Sequence, residues 1–111
     1  MPEETICAPA SAPFNSSLAI IRVSGPESYR AACCFFSSKD KIKHRYAVYG
    51  SVRNKDEIVD DVVLVYYEAP SSFTGEDMAE ICCHGGAYLP GRVLAACLAA
   101  GARPAGPGEV T

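Results

Sequence analysis

The sequence predicts an α/β (α+β) fold, a single domain with a mixed β-sheet of about five strands flanked by two to three helices, and three observations lead there. Runs of β-branched and aromatic residues recur at strand length, as in LAIIRVS at residues 18–24 and IVDDVVLVYYE at residues 58–68. Two other stretches repeat apolar residues at helical spacing, and each carries a proline in its first turn. A chain of 111 residues with 49% apolar and 21% charged side chains has the ordinary composition of one globular core.

In chain order, residues 5–8 form a short apolar strand, and the breakers Pro9, Pro13 and Asn15 make residues 9–17 a loop. Residues 18–24 are too continuously apolar for a surface helix and read as a largely buried central strand with one charge, Arg22. At Ser24-Gly25-Pro26-Glu27 a serine three residues before a glutamate makes a capping box. A helix is expected over residues 26–36, with Tyr29, Cys33 and Phe36 on one stripe and Ala32 beside them. The polar, lysine-rich residues 37–43 end it. Residues 45–53, with Tyr46, Val48 and Val52 partly sharing a face, pair with residues 58–68 as an antiparallel hairpin across the polar turn 54–57.

A break at residues 69–72 and one capped turn at residues 74–77 precede the strand 78–84. There Ala79, Ile81 and Cys83 point one way, and Met78, Glu80, Cys82 and His84 the other. After Gly85-Gly86 a helix over residues 88–100 repeats Leu89, Val93, Cys97 and Ala100, tolerates Pro90 in its first turn and stops at Gly101. The Pro- and Gly-rich tail 103–111 shows no cap and no closing element.

Charge and patterning exclude several classes. A net charge of −3 and a pI near 5.3 argue against this segment as the main footprint for a nucleic acid, so any RNA is expected to be held elsewhere. No run approaches the ~18 apolar residues of a membrane span, and Met1-Pro2-Glu3-Glu4 lacks the positive start of a signal peptide; a cytoplasmic protein without membrane contact is expected. Six cysteines include two adjacent pairs, which rarely bridge, and without a secretion signal all read as reduced packing residues. Neither a GxxxxGK[ST] loop nor GxGxxG after a strand occurs, so the segment cannot hydrolyse a nucleotide in the P-loop manner.

The polar residues that remain gather around FTGED at residues 73–77 and EICCHGG at residues 80–86. Glu80, a carboxylate on a strand, suits a flat heterocycle offering two parallel N–H groups, such as the 2-amino-pyrimidinone edge of a pterin; it also suits a salt bridge or water. Arg22 needs a partner on its apolar strand, either a structural carboxylate or an acyl or carboxylate group of a ligand. Gly85-Gly86 ahead of a helix offers a weak anion site or a plain tight turn. Cys82 and His84 share a face and admit a thiol-dependent enzyme, but Cys83 points away, the orienting third group is not evident, and zinc-ligand spacing is lacking. Lys39, Lys41, Lys43 and Arg45 alternate and read as a solvated linker or an RNA backbone contact, with His44 exposed among them.

In order, AIIRVSGP at residues 19–26, Tyr49-Gly50, PSSFTGED at residues 70–77, EICCHGG at residues 80–86 and GARPAGPGEVT at residues 101–111 resemble the N-terminal domain of the MnmE/TrmE family of tRNA-modification GTPases. The resemblance implies one TrmE-like domain over residues 1–111, which binds 5-formyl- or methylene-tetrahydrofolate and forms a homodimer. It implies further domains downstream that bind GTP, Mg and K, a flavin-dependent MnmG-type partner, and action on the wobble uridine of tRNA through the complex rather than this segment. The family's folate contacts fall on Arg22, the arginine of its IIRVSG motif, and on Glu80, the glutamate after FTGED. A further folate-contacting lysine of the family would lie beyond Thr111. APFNSS at residues 12–17 replaces the PPGRGG common in the family, and Val110 stands within its PGEFT motif. Two alternatives stand beside this reading: a stand-alone thiol-dependent enzyme using Cys82 and His84, or an interaction domain with an empty pocket.

Overall fold

Successive residues of a strand face opposite sides of a sheet, so strands that bury every second side chain need a covering layer on one side only. A computed structural model, describing residues 5–9, 18–70, 75–85 and 88–104, is built on that rule. Its elements are β1 (Ile6–Pro9), β2 (Leu18–Ser24), α1 (Ser28–Phe35), β3 (Phe36–Ser37), β4 (Ala47–Asn54), β5 (Glu57–Tyr67), β6 (Met78–His84), α2 (Leu89–Ala99) and β7 (Arg103–Pro104). The strands form one sheet in the order β3-β4-β5-β6-β2-β1-β7. Neighbours are antiparallel except β1 and β7, which run parallel.

The mixed sheet with two helices is therefore the class the sequence predicts, and the expected hairpin is β4–β5. The strand number differs: the five longer strands are joined by the two-residue β3 and β7, one at each edge. Two residues carry no periodicity, so only their pairing reveals them. β7 also corrects the reading of the tail, because Arg103 pairs with Ile6 and its N–H donates to the Thr5 carbonyl at 2.9 Å. Residues 105–111 lie outside the described residues.

Both helices lie on one face. Ile21 and Val23 of β2, Val62 and Leu64 of β5, and Ala79, Ile81 and Cys83 of β6 meet Ala31, Ala32 and Phe35 of α1 and Val93, Ala96 and Cys97 of α2 in one buried cluster. Each fully buried Ile, Leu or Phe contributes about 1.5–3 kcal/mol relative to exposure. The six thiols are free, and Cys7, Cys83 and Cys97 serve this core as small apolar side chains.

α1 departs from expectation in two ways. Its buried stripe is Ser28, Ala31, Ala32 and Phe35, while Tyr29 and Cys33 are exposed. Of the expected stripe, Ala32 is buried as read and Phe36 is buried just beyond the helix, in β3, while Tyr29 packs edge-on against Tyr66 with ring centroids 5.2 Å apart. The capping box does not form either. Ser24 is committed to the β2 ladder, opposite Ile6 and Met78, so the N-cap is Glu27, whose own N–H donates to Thr5 Oγ1 at 2.8 Å. α2 ends as expected, with Gly101 at φ 110° and the Ala102 N–H donating to the Cys97 carbonyl at 3.2 Å.

Two measurements follow from this packing. Gly50 lets β3 cross β4 closely, since a methyl there would come within 2.7 Å of Phe36 Cζ and against the Ser37 carbonyl. Gly50→Ala is expected to lower unfolding free energy in urea by about 1–3 kcal/mol; an unchanged midpoint would contradict this crossing. Burial first, then the charges of Asp77 and Glu68, push the Tyr66 phenol from 10 up to about 12. A phenol that holds its proton more tightly when folded contributes stability in full below pH 10, and that contribution is lost as pH rises toward 12. Unfolding free energy should fall across that interval, and Tyr66→Phe should flatten the fall.

Candidate functional site

β2 and β6 are interior strands, and their register sets Arg22 directly opposite Glu80. Ile21, Val23, Ala79 and Ile81 go to the helix layer, so Arg22 and Glu80 emerge together on the other face, where Leu18, Val63 and Tyr49 are exposed and Ser24 and Met78 are buried. Arg22 Nε donates to Glu80 Oε2 at 2.9 Å, with the side chains 18% and 23% exposed. Ala8 flanks Arg22 from β1, and Val65 flanks Glu80 from β5. One row along lie Ile20, Cys82, Val63 and Tyr49, paired in turn across β2, β6, β5 and β4.

The pair is thus a charged couple set in an apolar strand surface. A charge-assisted contact between half-buried groups is stronger than a fully solvated one, and removing either partner strands the other's charge away from water. Among the described residues Glu80 Oε1 has no hydrogen-bond partner, so the carboxylate keeps acceptor capacity.

His84 ends β6, past the last rung of the β5–β6 ladder at Val63 and Cys82. The β4–β5 register shifts at Val52/Arg53, with Asp60 opposite Val52 and Ile58 opposite Arg53. From there Asp60, its side chain 9% exposed, clasps His84: Oδ2 accepts the backbone N–H and Oδ1 meets Nδ1, both at 2.9 Å. Asp60 is the orienting group that sequence reasoning could not find, because it lies 24 residues away and depends on that irregular register. Cys82 makes no hydrogen bond to His84 among the described residues, and burial first, then Asp60, pushes the Cys83 thiol up to about 11, leaving it protonated near neutrality.

Other expected features are divided by what is described. Gly85 is described and Gly86 is not, so the anion-site reading at that turn lies partly outside the described residues, as do residues 12–17 and 71–74. At the start of α2, Arg92 pairs with Glu57 of β5. Among the described residues no group of three or more His, Cys, Asp and Glu side chains could hold a metal ion, and no helix is long and apolar enough to cross a membrane.

Comparison with known proteins adds a family. The chain is similar to the tRNA modification GTPase MnmE of Thermotoga maritima, 43% identical over 108 residues that cover 97% of this chain and 24% of that protein. It is similar to the enzyme of the same name from Porphyromonas gingivalis, 41% identical over 98% of this chain and 24% of the relative. The MnmE of Chlamydia caviae is 44% identical over 96% of this chain, again 24% of its own length. The chain therefore spans about a quarter of the length of these relatives. Residues 5–111 match the family described as the GTP-binding protein TrmE N-terminus, and it is to that family that the chain belongs.

Proposed function

We propose that this chain binds a reduced folate on the face of its sheet opposite the helices, through Arg22 and Glu80, and pairs with a second copy of itself. It does so as the N-terminal part of a GTPase that adds a carboxymethylaminomethyl group at C5 of the tRNA wobble uridine. GTP, Mg and K then belong to segments outside this chain, tRNA and a flavin-dependent MnmG-type partner engage the complex, and the setting is cytoplasmic.

The observation that carries the folate reading is the registered Arg22–Glu80 pair, 2.9 Å apart and walled by Ala8, Val65, Ile20 and Cys82. The donor set fits the group. Glu80 can accept the 2-amino and N3 hydrogens of a pterin while Arg22 holds the carboxylate in place, and the apolar row beside them offers a flat surface for the ring. The folate would be 5-formyl- or methylene-tetrahydrofolate, which supplies a one-carbon unit when bound. Arg22 and Glu80 orient it, and the apolar row limits water at its ring. The pairing reading draws on Leu18, Val63 and Tyr49, which stand exposed on the face opposite the helices and would leave water in a dimer. The thiol-enzyme alternative lacks a Cys82–His84 contact to support it.

Titration calorimetry with 5-formyltetrahydrofolate should give saturable binding. Glu80→Gln should weaken it by at least about tenfold, a loss in the range of one charge-assisted hydrogen bond. Arg22→Ala should weaken it as well, while alkylation of the exposed thiols should leave it intact. Binding indifferent to Glu80→Gln, or abolished by alkylation alone, would overturn the assignment. Sedimentation of the unliganded chain should show concentration-dependent dimers, weakened by Leu18→Asp.

A further inference from the structure

The charge of this chain is segregated. Residues 39–55 hold six of its ten lysines and arginines but one of its thirteen acids, so the net charge of −3 conceals a basic stretch in an acidic remainder. Lys39, Lys41, Lys43, Arg45, Arg53 and Lys55 are all exposed. Among the described residues none of the six pairs with a carboxylate. Unneutralised cations gathered on one segment raise the local potential and attract a polyanion.

The part of this segment before β4 is not a loose linker. His44 bridges to Tyr66, the Arg45 N–H donates to the Tyr66 carbonyl at 2.7 Å, and the Tyr46 N–H to the Lys43 carbonyl at 3.2 Å. Arg45 accepts the left-handed conformation, φ 66°, that this docking requires. The Glu68 N–H donates to His44 Nδ1 at 2.8 Å, so the neutral imidazole carries its proton on Nε2. His44 is thus half-buried and docked, which corrects its reading as a merely exposed side chain.

Docked in this way, the segment walls a cleft of about 500 Å3, lined by Tyr29, Lys43, His44, Tyr66, Glu68 and Asp77 among others. That size is typical of small-molecule sites. Two tyrosines supply aromatic surface, and an exposed third, Tyr46, lies beneath the Lys43 ammonium at 5.9 Å. Asp77 Oδ1 accepts the Ala69 N–H at 2.9 Å, whereas no hydrogen bond to the Glu68 carboxylate is formed among the described residues, so Glu68 is the less committed of the two cleft carboxylates. Lys43 in the cleft wall, with Lys41 and Arg45 exposed two residues to either side of it in the chain, an aromatic wall and a carboxylate inside match the parts of a nucleotide: phosphate, base face, and the amino or imino edge of the base.

We infer that this cleft and the basic segment bounding it hold a nucleotide of single-stranded RNA, with Lys41, Lys43 and Arg45 on the phosphates, the base against Tyr29, and its donor edge toward Glu68. A duplex does not fit, since its bases are already stacked and paired. RNA is the nucleic acid in the names of the similar tRNA modification GTPases. The site is on the helix-bearing side and shares no residue with the Arg22–Glu80 pair.

The test is fluorescence anisotropy of the whole chain with a labelled single-stranded RNA of about 12 nucleotides, a length that covers a few contacted phosphates. Binding should weaken with salt at a logarithmic slope of about −2 to −3, as expected for three or four phosphate contacts. The double variant Lys41→Glu, Lys43→Glu should bind at least about tenfold more weakly. Tyr29→Ala should lose several-fold, and Lys55→Glu, away from the cleft, should change little. Folate titration on the same variants should remain normal, which reports their folding and separates this inference from the folate reading. Absence of binding at low salt, equal affinity for duplex RNA, or insensitivity to the double variant would overturn the proposal. Loss on charge reversal with indifference to Tyr29→Ala would overturn the cleft assignment.

Discussion

The register between β2 and β6 is the constraint on which the rest of this structure depends. Because side chains alternate with a period of two, one register sends Ile21, Val23, Ala79 and Ile81 into the helix layer and sets Arg22 beside Glu80 on the opposite side. A slip of one residue in either strand would drive a charge into the core and an isoleucine out of it. The same hydrophobic energy that closes the domain therefore holds the ion pair in place, and no separate device is needed to position the two charged side chains.

Both described helices lie on one face of the sheet, which has consequences for the other. Leu18, Val63 and Tyr49 stay exposed there, while Ile20, Cys82 and Val65 are half-buried, so the charged couple stands in an apolar field. In such surroundings an Arg–Glu contact is less screened than on a fully polar surface, and ligand or partner groups that reach it meet an environment already partly dry. The helix-bearing side carries the opposite character near β4, where cations cluster on a segment pinned to the end of β5. The acids outside residues 39–55 outweigh these cations in the net charge of −3, which is why net charge alone said little about that segment.

Several local signals were overruled, each for a physical reason. The Ser24–Glu27 box would have given up the last residue of β2, and a ladder residue that is also buried outweighs one cap. The expected stripe of α1 carried Tyr29 and Cys33, whereas the helix buries Ser28, Ala31, Ala32 and Phe35 and leaves Tyr29 to pack on the Tyr66 ring. Asp60 looked like one of several acids in a β-branched run. Only the irregular register with β4 and the end of the ladder with β6 bring its carboxylate to His84.

What the sequence by itself determined is whatever periodicity encodes: the long strands, the two helices, the hairpin, the two alternating faces of β6, and Arg22 and Glu80 as the charged residues singled out on their strands. Its ordered motifs also marked the family. Tertiary structure alone decided which strands become neighbours, and so that Arg22 meets Glu80, that Asp60 meets His84, and that residues 42–44 wall a cleft with Tyr66. The physical reason is range. Alternation and helical spacing are properties of a few consecutive residues, whereas contacts across 24 or 58 positions exist only once burial has selected one sheet order from the many that the same strands could form.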